Sequence, residues 1–202
     1  MTIAPQVGCV RARERWLSCR PADQVELGEA ATLDEIVRHY IRYHRPCAKA
    51  EIDYFAALPS VAEAKRRAGW AERPDGKRHP HQARITGTAL RRTSDQLARL
   101  RVQRCGSFEE LHGLLEETIG GSRGVGALTV YDTALRVGAK LGLSPRRVYL
   151  HAGVRKGAAA LGLGRGRDYL RPDELPAAFR PLAPREIEDS LCIYKDQLLR
   201  AR

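Results

Sequence analysis

Two predicted helices joined by a glycine-rich turn occupy residues 107–141, and no other stretch constrains the fold as strongly. Ser107 and Glu110 have the S-x-x-E spacing that caps a helix start, and apolar residues then recur at helical spacing. Gly120 ends this first helix. The second, predicted over Ala127–Leu141, is apolar nearly all round, which indicates burial on most sides. The pair therefore predicts the centre of an all-α bundle.

The turn between these helices contains the sequence Arg123-Gly124-Val125-Gly126. Glycines allow a backbone to turn and to approach a partner closely, and the helix that follows offers free N–H groups to an anion. The arrangement resembles the helix-hairpin-helix element with which DNA-repair proteins bind a DNA backbone. No Lys-Ser/Thr follows the glycines, so it is not a nucleotide phosphate-binding loop. The alternative is that Gly124 and Gly126 only allow two core helices to pack closely.

Charge points to a polyanionic partner. The 202 residues include 35 Lys and Arg against 24 Asp and Glu, a formal net charge of +11, and such an excess favours nucleic acid, here DNA. No apolar run has the length of a membrane span, and the first residues lack a signal-peptide core. The sequence predicts a cytoplasmic protein without a membrane partner, nucleoid-associated if bacterial.

The five cysteines are scattered and form no C-x-x-C pair. A disulfide scaffold or a cysteine-ligated metal site is therefore not expected, and the sequence predicts no metal and no cofactor. Residues 1–30 are expected to form an irregular N-terminal arm, and residues 31–202 a single helical domain with the helix-hairpin-helix at 107–141. A helix is predicted to begin after Thr32 and to end at Pro46, and a last helix to follow Pro184.

Basic residues dominate the stretch from Lys65 to Arg104, which is either a solvated face or a phosphate-facing surface. The loop within it contains two histidines and an amide, side chains that suit contacts with phosphate or with a base edge. A metal ion would need a third ligand that the sequence does not indicate. The DNA-contact candidates of this stretch are Lys77, Arg78, His79, His81, Gln82 and Arg84.

A resemblance to the helix-hairpin-helix DNA glycosylases covers residues 107–162. Members of this family follow their hairpin with a segment of the type Val-Asp-Thr-His-Val and a helix ending in Leu-Gly, where this chain has Val148-Tyr149-Leu150-His151 and a helix ending at Leu161-Gly162. The resemblance implies an all-helical glycosylase core that binds DNA. The expected DNA contacts are Arg123, Gly124, Gly126, Arg155 and Lys156.

Two departures separate this chain from the family mechanism. Tyr149 stands where the family has its catalytic aspartate, and Leu128 stands where bifunctional members have a nucleophilic lysine. Because glycosidic bond cleavage passes through an oxocarbenium-like transition state, another carboxylate is needed. Asp132, Glu51 or Asp53 is either that carboxylate or an ordinary surface group.

Tyr149 either stacks on a displaced base or fills the core, and His151 either orients a phosphate or water or is a satisfied buried imidazole. The predicted catalytic residues are accordingly Asp132, Tyr149 and His151. The expected function is that of a divergent DNA glycosylase that excises a modified or damaged base. The alternatives are a non-catalytic DNA-binding module of a larger complex and a scaffold domain whose charge is incidental.

Overall fold

The computed structural model describes residues 7–19, 27–28 and 31–201. These residues are mostly helical, which confirms the predicted all-α class at that level. The helices are α1 (Val7–Ser18), α2 (Leu33–His39), α3 (Arg45–Ala56), α4 (Val61–Gly69), α5 (Gly87–Arg99), α6 (Phe108–Ile119), α7 (Ala127–Leu141), α8 (Ala152–Ala160), α9 (Pro184–Ile193) and α10 (Lys195–Leu198). No helix of the described part is both long and apolar enough to cross a bilayer.

The chain divides into two compact units, where the sequence predicted a single domain over residues 31–202. The first unit comprises Met1–Arg20 and Cys47–Ser144, and the second comprises Pro21–Pro46 and Pro145–Arg202. Local sequence patterns do not contain this division, because each unit combines two segments that are distant along the chain. A division of this kind depends on long-range contacts rather than on a recognisable linker.

Four helices pack pairwise in the first unit: α4 against α5 and α7, and α6 against α5 and α7. Their apolar faces, together with α3 and the residues that follow it, supply its interior. The largest fully buried side chains there are Phe55, Leu58, Leu90, Leu97, Phe108, Leu111, Leu115, Ile119 and Tyr131. The spacing of three and four residues within this set is the helical period predicted from the sequence. Ser107 caps α6 by accepting the Glu110 N–H, and Gly142 ends α7 in the left-handed conformation.

Helices α8 and α9 pack against each other in the second unit, and α10 packs on α8. Two-residue strands, β1 (Val148–Tyr149) and β2 (Tyr169–Leu170), pair antiparallel in the same unit. A Cβ atom on Gly157 would lie only 2.1 Å from the carbonyl oxygen of Leu191 in α9. The backbones of α8 and α9 therefore approach each other closely at Gly157.

The prediction of an irregular arm over residues 1–30 is wrong for Val7–Ser18, which form helix α1. Tertiary contacts stabilise this helix, because Ala12 is buried, Arg13 Nε donates to the Pro74 carbonyl at 2.9 Å, and the Arg73 guanidinium lies over the Trp16 ring. The rest of the predicted arm, residues 1–6, 20–26 and 29–30, lies outside the described residues.

The prediction that Pro46 ends its helix is also wrong. A π-helical turn, Tyr40–His44, joins α2 to α3, and Pro46 is the second residue of α3. Proline breaks an α-helix because its ring clashes with the carbonyl four residues back and because it lacks an N–H. The wider π turn, in which the Arg45 N–H donates to the Tyr40 carbonyl, accommodates that defect.

Candidate nucleic-acid interface

The turn between α6 and α7 is held by two backbone hydrogen bonds. The Ser122 N–H donates to the Ile119 carbonyl at 3.0 Å, and the Val125 N–H donates to the Ser122 carbonyl at 2.9 Å. Gly124 has φ = +87°, a conformation that favours glycine. Gly126 has an ordinary φ of −101°, and a Cβ atom there would meet nothing within 4 Å. The backbone therefore requires glycine at position 124 but not at 126.

Helix α7 begins at this turn with an open N-terminus. Gly126 and Ala127 are exposed, and no acceptor in the described part of the chain contacts the N–H groups of Gly126, Ala127 or Leu128. Arg123 is exposed in the same turn. Free N–H groups and the helix dipole make such an end favourable for an anion.

Helix α5 presents an arginine-lined groove. Its Leu90, Thr93 and Leu97 point into the core, so the opposite face carries the charged residues. This face lines an open groove of about 330 Å³ formed by Thr88, Arg91, Arg92, Asp95, Gln96 and Arg99. Within the residues that the structure describes, Arg91, Arg92 and Arg99 make no ion pair, and all three are exposed. Asp95 is the single acid in the groove.

The groove adjoins the turn between α6 and α7. Gln96, in the groove, donates from Nε2 to the Thr118 carbonyl at 2.9 Å, and its Oε1 accepts from Ser122 Oγ at 3.5 Å. A Cβ atom on Gly124 would lie 4.0 Å from Cβ of Ala89 in α5. We call the groove together with Arg123 and the N-terminus of α7 the basic surface.

Part of the basic stretch from Lys65 to Arg104 is occupied with other contacts. Lys65 is buried and donates to the carbonyls of Ala98 and Leu100 at 2.9 and 3.0 Å, and Arg66, Arg67 and Arg73 pair with Glu63, Glu72 and Asp75. Among the predicted contacts, Lys77, Arg78 and Arg84 are exposed, and Arg78 Nη1 donates to the Ile85 carbonyl. The stretch is thus a mixture of structural cations and exposed ones.

Five residues that are distant in the sequence meet in the first unit: Glu51, His79, Gln82, Asp132 and Arg136. We call them the polar cluster. Arg136 is only 4 % exposed, and its guanidinium lies 3.2 Å from Glu51 Oε1 and 3.7 Å from Asp132 Oδ2. Gln82, 1 % exposed, donates from Nε2 to Asp132 Oδ2. His79 Nε2 lies 3.8 Å from Glu51 Oε2.

His79 is neutral near pH 7. Burial, together with the charge of Arg136, lowers the pKa of this imidazole to about 4, although Glu51 and Asp132 act in the opposite direction. The exposed His81 ring stacks on His79 with centroids 5.2 Å apart. No group of three or more His, Cys, Asp or Glu side chains among the described residues is arranged to hold a metal ion.

The three predicted catalytic residues belong to different units. Asp132 lies in the polar cluster of the first unit, whereas Tyr149, in β1, and His151, before α8, belong to the second. His151 is buried, with its Nε2 against Glu188 Oε1. That contact agrees with the second role considered for His151 from the sequence, a buried imidazole with a polar partner.

The remaining predicted site residues lie partly in the polar cluster and partly elsewhere on the surface. Glu51 joins the polar cluster, but Asp53 pairs with Lys49 on the surface of α3 at 2.7 Å. On α8, Lys156 is exposed and Arg155 pairs with Asp168. Sequence reasoning missed Arg136 as a member of the site. Its spacing from Asp132, i to i+4 on an otherwise apolar helix, was the available signal.

Comparison of the chain with protein-family models, with curated proteins and with solved structures gave no match. The resemblance of residues 107–162 to helix-hairpin-helix glycosylases stays a prediction from sequence motifs.

Proposed function

We propose that the first unit binds DNA through the basic surface. The observation that carries this proposal is the row of exposed arginines on α5, which are unpaired within the described residues and line an open groove. Gln96 in this groove contacts Thr118 and Ser122, so the groove adjoins the turn between α6 and α7. Arginines facing solvent without carboxylate partners retain their charge for an external anion. Phosphate contacts of this kind supply most of the affinity of a protein for a nucleic-acid backbone.

The extent of the basic surface favours a polymer over a small anion. Arg91 and Arg99 are eight residues apart on α5, which corresponds to about 12 Å along the helix axis. A DNA duplex carries one charge per about 1.7 Å of its axis, so a row of this length spans several phosphates and exceeds the reach of a single phosphate group. The open N-terminus of α7 adds a further anion site beside the arginines. DNA in particular is favoured by the sequence resemblance to the helix-hairpin-helix.

The finer proposal is that the bound DNA is a glycosylase substrate. It is supported by the convergence of Glu51 and Asp132, two carboxylates suggested as replacements for the missing catalytic aspartate, on a single arginine. Their side chains are 20 % and 15 % exposed, which leaves part of each reachable from solvent. A carboxylate can stabilise the positive charge that develops on the sugar as the bond to the base breaks. The alternative is a DNA-binding module without catalysis.

Gly126 offers a clean test of DNA binding. Asn and Asp are equally good residues at a helix N-terminus, and position 126 has room for a side chain, so Gly126→Asn and Gly126→Asp should both fold. We expect Gly126→Asn to weaken binding of a 20-base-pair duplex by blocking close approach, and Gly126→Asp to weaken it further by repelling phosphate. Fluorescence anisotropy measures both. Wild-type affinity in both variants would refute a role for this turn.

The arginines are tested by salt dependence. Each lost phosphate contact should reduce the slope of log affinity against log salt concentration by about 0.9, so Arg91→Gln combined with Arg99→Gln should reduce it by about 2. Arg180→Gln, which removes an exposed charge from the second unit, is the control and should leave the slope unchanged. Equal slopes in all the proteins would contradict the proposed surface.

Catalysis is tested on duplex and single-stranded DNA carrying a panel of modified bases, followed by alkali to break the strand at abasic sites. We expect breaks at one modified base, lost in Glu51→Gln or Asp132→Asn. Asp53→Asn is the matched control, because Asp53 pairs with Lys49 on the surface. Salt-dependent binding with no break across the panel would favour the non-catalytic module.

A further inference from the structure

Two hydrogen-bond acceptors in the polar cluster have no partner among the described residues. The Gln82 amide presents its nitrogen to the Asp132 carboxylate, which accepts, so Gln82 Oε1 is the atom left over, and it is buried without a partner among the described residues. His79 has its Nε2 side toward Glu51. Its Nδ1 is buried and likewise unpartnered. Because a carboxylate only accepts hydrogen bonds, the neutral ring that faces Glu51 with Nε2 carries its proton there, which makes Nδ1 the acceptor.

The charge of the polar cluster determines which ligand it suits. The polar cluster contains one arginine, Arg136, and two carboxylates, those of Glu51 and Asp132, while His79 is neutral. Its net charge is therefore −1. A phosphate would be repelled here, so the basic surface and the polar cluster suit different parts of a nucleic acid. A group that donates hydrogen bonds and carries no negative charge is the complementary ligand for carboxylate oxygens, an amide oxygen and an imidazole nitrogen.

We propose that the polar cluster receives an unpaired nucleobase bearing an exocyclic amino group, whose N–H donors meet the acceptors of Gln82, His79 and Asp132. This inference rests on the proposed DNA binding and names the base class that the site accepts. Buried acceptors without partners are costly in the free protein. A base that satisfies them gains affinity that a base without the amino group does not.

The position of the polar cluster fits such a base. Asp132 lies six residues after Gly126, the residue that precedes α7, about 9 Å along the axis of that helix, a distance that a base displaced from a duplex bound at the N-terminus of α7 can bridge. His81, an exposed residue whose ring stacks on His79, offers an aromatic ring on which an unpaired base can stack.

The test compares bulged bases of nearly identical shape. Purine lacks the amino group of adenine, and uracil carries a carbonyl oxygen in place of the cytosine amino group, together with a proton on N3. The probes are duplexes with one bulged nucleotide, either adenine or unsubstituted purine, and either cytosine or uracil. We expect wild-type protein to bind bulged adenine about tenfold tighter than bulged purine, and cytosine about tenfold tighter than uracil, as a well-placed polar pair provides. Equal affinity within both pairs would overturn the inference.

A fully paired duplex separates this inference from the proposed function. If the paired duplex shows no salt-dependent binding, the proposed function fails. If every duplex binds equally, only the amino-base site fails. Gln82→Met keeps the approximate size but removes the acceptor, and should abolish the adenine preference while retaining affinity for the paired duplex. Gln103→Met, at an exposed position, is the matched control and should keep the preference; a Gln82→Met protein that kept it would also overturn the inference.

Discussion

Replacing Gly157 by alanine should destabilise the second unit, although the same change stabilises most helices. The new Cβ would lie 2.1 Å from the Leu191 carbonyl oxygen and 2.7 and 2.9 Å from that residue's carbonyl carbon and Cα. A carbon and a carbonyl oxygen normally remain about 3.3 Å apart. The atoms in the way are backbone, so α8 and α9 must separate by roughly 1 Å.

The magnitude follows from two opposing terms. Removing a glycine from a helix interior stabilises by about 1 kcal/mol. Overpacking costs about 1–3 kcal/mol, and a gap of about 1 Å forfeits up to roughly half of the dispersion energy across the interface. With the overpacking cost at its upper end, Gly157→Ala should lower the free energy of unfolding by about 2 kcal/mol.

Gly113→Ala is the matched control, because Gly113 also lies inside a helix, α6, and its added Cβ would meet nothing within 4 Å. It should stabilise by about 0.5–1 kcal/mol. Urea unfolding followed by circular dichroism measures both variants. Trp16 and Trp70 lie in the first unit. Their fluorescence therefore follows the unfolding of the unit that contains Gly113, separately from the unit that contains Gly157. A Gly157→Ala protein as stable as Gly113→Ala would refute the close contact.

Two further predictions concern the polar cluster. Arg136→Met should lower the free energy of unfolding by about 3 kcal/mol, because it leaves Glu51 and Asp132 largely buried without their cation; adding Glu51→Gln should recover part of this loss in tryptophan-monitored unfolding. His79 is faced by Arg136, Glu51, Asp132 and His81, and its pKa is lower in the folded than in the unfolded state. The contribution of the neutral His79 to the free energy of unfolding is therefore fully present above pH 6.5 and is lost as the pH falls toward about 4. That loss is on the order of 3 kcal/mol. Between pH 7 and pH 4.5 the free energy of unfolding of His79→Gln should therefore fall by less than that of the wild-type protein.

Local chemistry made several helix starts predictable. Thr32 and Ser107 cap α2 and α6 as their S/T-x-x-E spacing indicated, with the Glu35 and Glu110 N–H groups donating to their side chains. Each cap involves residues three apart, so the sequence contains all the information. Helix α1 was missed because its stabilising partners, Pro74 and Arg73, lie about sixty residues away.

The candidate site was predictable residue by residue but not as an arrangement. His79, Gln82 and Asp132 were each chosen for their chemistry, but as members of separate groups, two for contacts with DNA and one for catalysis. The fold places them in one cluster because α7, α3 and the 80–82 turn meet in the first unit. Such a meeting depends on tertiary packing between segments that are distant in the sequence, whereas the spacing within α7 indicates only that Asp132 and Arg136 are neighbours.

The composition of the polar cluster favours a functional role over a structural one. A buried arginine between two carboxylates rarely stabilises a fold more than apolar residues of the same size, and two unpartnered acceptors add a further cost. Helix α7 is otherwise apolar enough to have filled this place with hydrophobic side chains. Since strongly perturbed groups cluster at functional sites, the polar cluster is the place where we expect a ligand to be recognised, and under the proposed function that ligand is a nucleic acid.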